Sequence, residues 1–369
     1  MVKGKKFAKG GKVKKKVAKM VKVIEKAVPA GRAGRQAEYG KGIDIGTCFI
    51  KFAEKNGDSI IFRSQRDAFF EVEHTDFTRN MLDNSRVKYI IKDNKLYVVG
   101  DEALEFANIF HKDTRRPLQK GIVSPSEKEA LPMVELLIKS VLGKPRRDGE
   151  IVYYSVPGEP IDADFNVIYH EKILYGFIAR LGYTPKVINE AHAIVLAELG
   201  DEDFSGIGLS FGGGMVNMCL SYLSVPIVAF SVTKAGDWID QQVALSVDET
   251  ASRISAIKET SLDLSKETGL SRIESALSIY YSHLIEYVIE NIKREFEKNK
   301  KMPRLDKPLS IILSGGTSLP PGFSDRFKSI LERSKFPLAI KSVRMASQPL
   351  RTVAKGALVA ALSDEAKEK

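Results

Sequence analysis

A short pattern occurs twice in this chain, and it constrains the fold more than any other feature. Ile43-Asp44-Ile45-Gly46-Thr47 lines up with Leu209-Ser210-Phe211-Gly212-Gly213. Each copy is an apolar segment that ends in a polar residue and a glycine-bearing turn, then returns as a second strand-like segment. Self-similarity of this kind marks a duplicated structural unit. Two units with one glycine turn each imply two lobes that face each other across a cleft.

The segments around the repeat agree with that plan. In the first half, strand-like stretches at 42–46, 49–54 and 59–63 are separated by turns, the second at Asn56-Gly57-Asp58. A hairpin over 87–91 and 95–99 turns at Asp93-Asn94. Helical spacing follows at 101–110, 126–142 and 162–181, with Asp162 expected as the cap of the last, and strand 151–156 lies between the last two. In the second half, short strands at 207–211, 215–223 and 226–232 give way to helices over 237–246, 250–259 and 271–300. Strand 310–313 leads into Gly315-Gly316, and a last helix spans 352–362. Alternating strands and helices predict an α/β architecture. With 369 residues, 43% of them hydrophobic, the chain can build one large or two medium cores.

Charge is unevenly placed. Residues 1–36 hold thirteen Lys or Arg against Glu25 alone, a local charge of +12, so the remaining body is near −2 within the overall +10. In this arm Val13, Val17, Met20, Val21, Ile24 and Val28 share one face of a helical period, and lysines cover most of the other. Pro29-Ala30-Gly31 stops the pattern, and a linker runs to about residue 40. A basic amphipathic helix suits an anionic membrane surface. DNA or another polyanion is the alternative partner, and a solvated tail is the third reading. No apolar run reaches the roughly 20 residues of a membrane span, and the lysine-rich start does not read as a secretory signal. Cys48 and Cys219 fit no metal spacing and are expected as small buried groups in a reducing cytoplasm.

The glycine turns carry the chemistry. A turn without Cβ atoms lets backbone N–H groups approach phosphate oxygens. Gly46-Thr47 and Gly212-Gly213-Gly214 can each do so, and Gly315-Gly316 forms a third such turn after a strand. Asp44 sits where one carboxylate could hold a hydrated Mg2+.

These segments resemble the actin and heat-shock chaperone ATPase superfamily, and within it the bacterial actins of the MreB and MamK type. The likeness covers about residues 40 to 362. Its first phosphate motif is Gly42-Ile43-Asp44-Ile45-Gly46-Thr47, and its second is Ser210-Phe211-Gly212-Gly213-Gly214. The connecting motifs are Asn189-Glu190-Ala191-His192-Ala193 and Ala354-Lys355-Gly356-Ala357, and the adenosine motif is Leu313-Ser314-Gly315-Gly316-Thr317-Ser318. Two further stretches resemble bacterial actins in particular: Val99-Gly100-Asp101-Glu102-Ala103 followed by Arg116-Pro117-Leu118-Gln119-Lys120-Gly121-Ile122-Val123, and Ala235-Gly236-Asp237-Trp238-Ile239-Asp240.

The resemblance implies a two-lobed actin-like fold of duplicated RNase H-like units behind a basic arm. Its expected divisions are the arm at 1–40, lobe I at 41–203, lobe II at 204–345 and a C-terminal segment at 346–369 that returns to lobe I. It implies ATP and Mg2+ as ligands, with Asp44 at the metal and Glu190 orienting the attacking water. Lys51 is implied at phosphate, Lys258 and Glu259 at the adenosine, and Thr317 with Gly315 and Gly316 in the adenosine turn. Self-association into filaments, in the cytoplasm or at the inner face of the membrane, is the function implied. A non-polymerising ATP-binding scaffold and a small-molecule kinase are the alternatives. In one respect the chain departs from the family: Ser210 stands where an aspartate is usual, and Met215 where a threonine is usual. Serine brings no charge, so hydrolysis is expected to be slow.

Overall fold

The computed structural model describes residues 38–85, 87, 89–109, 114–299 and 307–367. The basic arm, with its expected helix, lies outside the described residues. Strand β1 (Lys41–Ile45) runs antiparallel to β2 (Phe49–Asn56), which pairs in turn with β3 (Ser59–Arg66). A smaller sheet follows, built from β4 (Phe69–Glu73), β5 (Tyr89–Lys92) and β6 (Lys95–Val99) and flanked by helices α1 (Asp76–Asn84) and α2 (Asp101–Ile109). The β5–β6 turn at Asp93 and Asn94 has φ of 49° and 58°, the left-handed pair that a two-residue hairpin needs. The ribbon β7 (Leu118–Gln119) and β8 (Ile122–Val123) and helix α3 (Ala130–Leu142) lead to β9 (Ile151–Val156), parallel to β1. Helix α4 (Ile168–Arg180) carries the chain to β10 (Thr184–Asn189), and α5 (Glu190–Glu198) begins at once.

The second lobe repeats this order. A meander of β11 (Gly206–Phe211), β12 (Val216–Tyr222) and β13 (Val225–Val232) precedes helices α6 (Gly236–Val247), α7 (Ala251–Thr260) and α8 (Arg272–Lys298). Parallel strands β14 (Leu309–Ser314) and β15 (Ile340–Met345) follow, with α9 (Phe323–Arg333) between them, and α10 (Thr352–Glu365) returns to the first sheet. The sheet orders are β10-β9-β1-β2-β3 and β13-β12-β11-β14-β15. Each is a three-strand antiparallel meander whose first strand is extended by two parallel strands. The repeat in the sequence is therefore a duplication of the whole sheet.

Both first strands, β1 and β11, are buried along their full length, which is why they read as apolar runs and not as alternation. Each also lets a helix lie unusually close. A Cβ on Gly42 would come 2.2 Å from Ala354 O of α10, and one on Gly208 the same distance from Ala191 O of α5. The two helices then cross where a Cβ on Gly356 would meet the Ala193 carbonyl. Small residues thus press α5 and α10 together beneath both sheets, around Ile194, Leu199, Ala357 and Ala360. In lobe II, Phe211 at the end of β11 packs edge-on against Phe323 and Phe327, with ring centroids 5.0 and 6.1 Å apart. Truncating a phenylalanine buried in this way costs about 3–5 kcal/mol.

One expectation is corrected. Asp162 does not cap a helix, because α4 begins only at Ile168, with Val167 at its cap. The chain after β9 instead crosses to the second lobe, where Ile161 N–H donates to Ser231 O at 3.0 Å and Ser231 N–H to Glu159 O at 2.9 Å. The Asp162 carboxylate accepts from Thr233 N–H at 2.9 Å and from the Tyr287 hydroxyl at 3.0 Å. A capping residue by type is here a tie between the lobes.

Candidate functional site

The two repeated hairpins meet at the cleft in matched geometry. Gly46 N–H donates to Phe49 O at 3.2 Å, and Gly212 N–H donates to Met215 O at 3.0 Å. Across each hairpin the register pairs Asp44 with Lys51 and Ser210 with Asn217. The turns press on one another: a Cβ on Gly213 would lie 2.6 Å from Cys48 Sγ, and one on Gly214 would lie 2.5 Å from Thr47 Oγ1 and 2.7 Å from Gly121 N. Only glycine permits this approach. The third glycine turn backs the second hairpin, since Gly315 has φ of +95° and a Cβ there would meet Phe211 O at 2.3 Å. Thr317 Oγ1 donates to Gly212 O at 2.8 Å.

Carboxylates converge at the base of the hairpins. Asp44 is buried; its Oδ1 accepts from Ser155 Oγ at 2.9 Å, and its Oδ2 pairs with Lys51 Nζ at 3.3 Å. Glu190 opens α5, where the Asn189 side chain caps the helix by accepting from Ala191 N–H and His192 N–H. The Glu190 Oε2 accepts from Asn217 Nδ2 at 2.9 Å. Burial, reinforced by the negative charge of Asp44, pushes the Glu190 carboxyl up to about 8. Both causes favour its neutral form.

A family model described as Volactin matches residues 39–361. The chain belongs to the Volactin family. No curated protein matches it by sequence. Among solved structures, this Volactin-family chain is similar to a MamK double helical filament, at 18% identity over 87% of this chain and 98% of that one, with a TM-score of 0.67. It is also similar to MreB5 of Spiroplasma citri bound to ADP, at 15% identity over 90% and 99% of the two chains, with a TM-score of 0.61. The ethanolamine utilization protein EutJ from Carboxydothermus hydrogenoformans follows at 16% identity, 95% and 99% coverage and a TM-score of 0.51. The fold is the actin-like one of the MreB and MamK type.

Within that fold, the Volactin-family chain brings together Asp44, Gly46, Thr47, Lys51, Glu190, Ser210, Gly212, Gly213 and Gly214. Gly315 and Thr317 stand directly behind. Gly316 fits without crowding, its nearest neighbour being Leu350 Cδ2 at 3.8 Å from an added Cβ. Lys258 is buried at the same wall: its Nζ donates to Asp240 Oδ2 at 2.7 Å and to Gly236 O at 3.0 Å. A Cβ on Gly236 would lie 2.4 Å from Thr317 Oγ1 and 3.2 Å from Lys258 Nζ, so these three groups converge. Glu259 is exposed on α7, one residue on and turned about 100° around the helix. His192 lines a separate cavity with Tyr153, Val187, Ser224 and Asp364.

Ser155 and Asn217 are the polar groups that sequence reasoning passed over. The repeat that aligns Asp44 with Ser210 also aligns Lys51 with Asn217, so the second was legible. Ser155 was not, because it reaches Asp44 only through the parallel pairing of β9 with β1. The residues present fit a hydrated divalent cation, which needs one or two carboxylates and keeps its waters: Asp44 supplies one, buried and held by Ser155 and Lys51.

Proposed function

We propose that this chain binds ATP with Mg2+ between its two glycine hairpins and uses the nucleotide to control self-assembly into filaments, with slow hydrolysis. The observation that carries the reading is that the paired glycine turns face each other, Gly213 and Gly214 opposite Cys48 and Thr47, with backbone that no Cβ covers. Backbone amides of Thr47, Gly213 and Gly214 would cradle phosphate oxygens from two sides, while the Gly46 and Gly212 amides close their own hairpins and hold the turns in shape. Asp44 would hold Mg2+ through its waters, and Mg2+ when bound supplies charge neutralisation at the phosphates. Lys51 would add a second positive charge at the first hairpin, and the wall at Lys258, Gly236 and Thr317 would bound the adenosine.

Glu190 is the group to orient a water toward the terminal phosphate. Burial and the Asp44 charge raise its carboxyl and so weaken it as an acceptor, and Ser210 adds no second carboxylate; both features support slow turnover. Filament formation is supported by the likeness to a MamK filament. The arm at residues 1–28 would tether such filaments to an anionic membrane, with DNA or another polyanion as its alternative partner, in the cytoplasm. Among the described residues, no helix is long and apolar enough to cross a membrane. Sedimentation with ATP, with ADP and without nucleotide tests the filament. ATP-dependent pelleting is expected, and its absence would favour the second reading, a non-polymerising ATP-binding scaffold, to which the uncharged Ser210 lends weight. Flotation with anionic liposomes, with and without residues 1–36, tests the tether.

A further inference from the structure

Arg116 and Asp237 reach each other across the cleft. Nη1 of Arg116 donates to both carboxylate oxygens of Asp237 at 3.2 Å. Each partner is anchored to a different hairpin. Gly236 N–H donates to Gly212 O at 3.1 Å and Asp237 N–H to Gly213 O at 2.8 Å, so the start of α6 is stitched to the second turn. Arg116 precedes the β7–β8 ribbon, which is stitched to the first. Gly121 N–H donates to Thr47 Oγ1 at 3.0 Å, Leu118 N–H to Asp67 Oδ2 at 3.1 Å, and Asp67 N–H to Cys48 O at 2.9 Å. The Arg116–Asp237 separation therefore follows the separation of the hairpins.

That coupling has a mechanical consequence. The turns already touch at Gly213 and Cys48, so a phosphate can enter between them only if they part. Parting them stretches the ion pair, because each partner's segment is hydrogen-bonded to its own hairpin. We propose that Arg116 and Asp237 form a latch that holds the two hairpins together and sets how fast the cleft opens to admit and release nucleotide. The nucleotide part of this role rests on the function proposed above; the holding of the hairpins does not. Because 39% of the Arg116 side chain and 32% of that of Asp237 remain exposed, solvent screens the pair, and its rupture changes rates by a modest factor.

The test uses the full chain, with Arg116→Met, Asp237→Asn and the double variant, in hydrogen exchange without nucleotide. Each single variant is expected to speed exchange in segments 46–50 and 114–123 by about two- to five-fold, while α8 exchanges as before. The double variant should be no faster than either single, because both singles break one contact. Wild-type exchange in the singles, or effects that multiply in the double, would overturn the latch. Chase of a bound fluorescent ATP analogue supplies the second readout, with release from the singles expected to be faster by the same factor; release at the wild-type rate would also overturn it. A wild-type chain that binds no analogue would sink the nucleotide reading, while the exchange data would still decide whether the pair holds the hairpins.

Discussion

Asn217 holds Glu190 with one end of its amide and the crossing chain between the lobes with the other. Its Nδ2 donates to Glu190 Oε2 at 2.9 Å, and its Oδ1 accepts from Gly158 N–H at 2.8 Å. The candidate catalytic carboxyl is thus fixed to the segment that joins lobe I to β13. Asn217→Ala leaves the buried Gly158 N–H without its acceptor, at a cost of about 1–3 kcal/mol. Chemical denaturation should show that loss, and phosphate release should fall with it.

Glu190 makes both stability and activity depend on pH. Its carboxyl is raised to about 8 in the folded chain, above the ordinary value of 4.5, so the folded state holds a proton that the unfolded state gives up. Stability from this group is then full below about pH 4.5 and is lost as pH rises toward 8. Glu190→Gln should remove that decline and be the more stable chain at pH 9, by a few kcal/mol at most. Hydrolysis by the wild type should rise between pH 6.5 and 8.5, and the variant should show no such rise.

Ser210→Asp restores a charge at the position matched to Asp44. With Mg2+ in excess it should release phosphate faster than wild type by about tenfold, the effect of roughly 1.4 kcal/mol in the barrier. Equal rates would mean that Ser210 does not limit turnover.

Asp67 lies fully buried beneath the first hairpin, with Oδ2 accepting from Leu118 N–H and Oδ1 without a hydrogen-bond partner among the described residues. Burial raises its carboxyl well above the ordinary range, so its proton is bound in the folded chain over pH values where the unfolded chain has lost it. Asp67→Asn should therefore keep the fold and lose stability less steeply than wild type as pH climbs above 4. Asp67→Ala should cost about 1–3 kcal/mol by orphaning the Leu118 amide. Thermal melts across pH check both.

Much of this was legible because the duplicated strands carry their own evidence. Asp44 and Ser210 end buried apolar runs, and the glycines after them have no other reason to recur. Helix α1 was not visible, since it is mostly polar, exposes Phe77 and is capped by a Thr75–Thr78 box with no acid or glutamine at the third position. Strand β15 alternates weakly, with Lys341 and Arg344 among its six residues, and gives little signal beside the stronger strands. The boundary of α4 failed for a tertiary reason: Asp162 finds better partners in Thr233 and Tyr287 than at a helix end. Ser155 and the Arg116–Asp237 pair depend on which strands neighbour each other, and no local pattern records that.

The hairpin clamp itself is tested most directly by calorimetric titration of the full chain with Mg2+ and ATP. One nucleotide should bind per chain, with a Kd of about 10 μM or tighter. Binding should be at least about tenfold weaker in Gly214→Ala, whose added methyl would meet Gly121 N at 2.7 Å. Absence of heat, together with an unchanged melting temperature at about 1 mM nucleotide, would contradict the clamp, because a ligand at 100 times its Kd must stabilise the folded chain by about 2.7 kcal/mol.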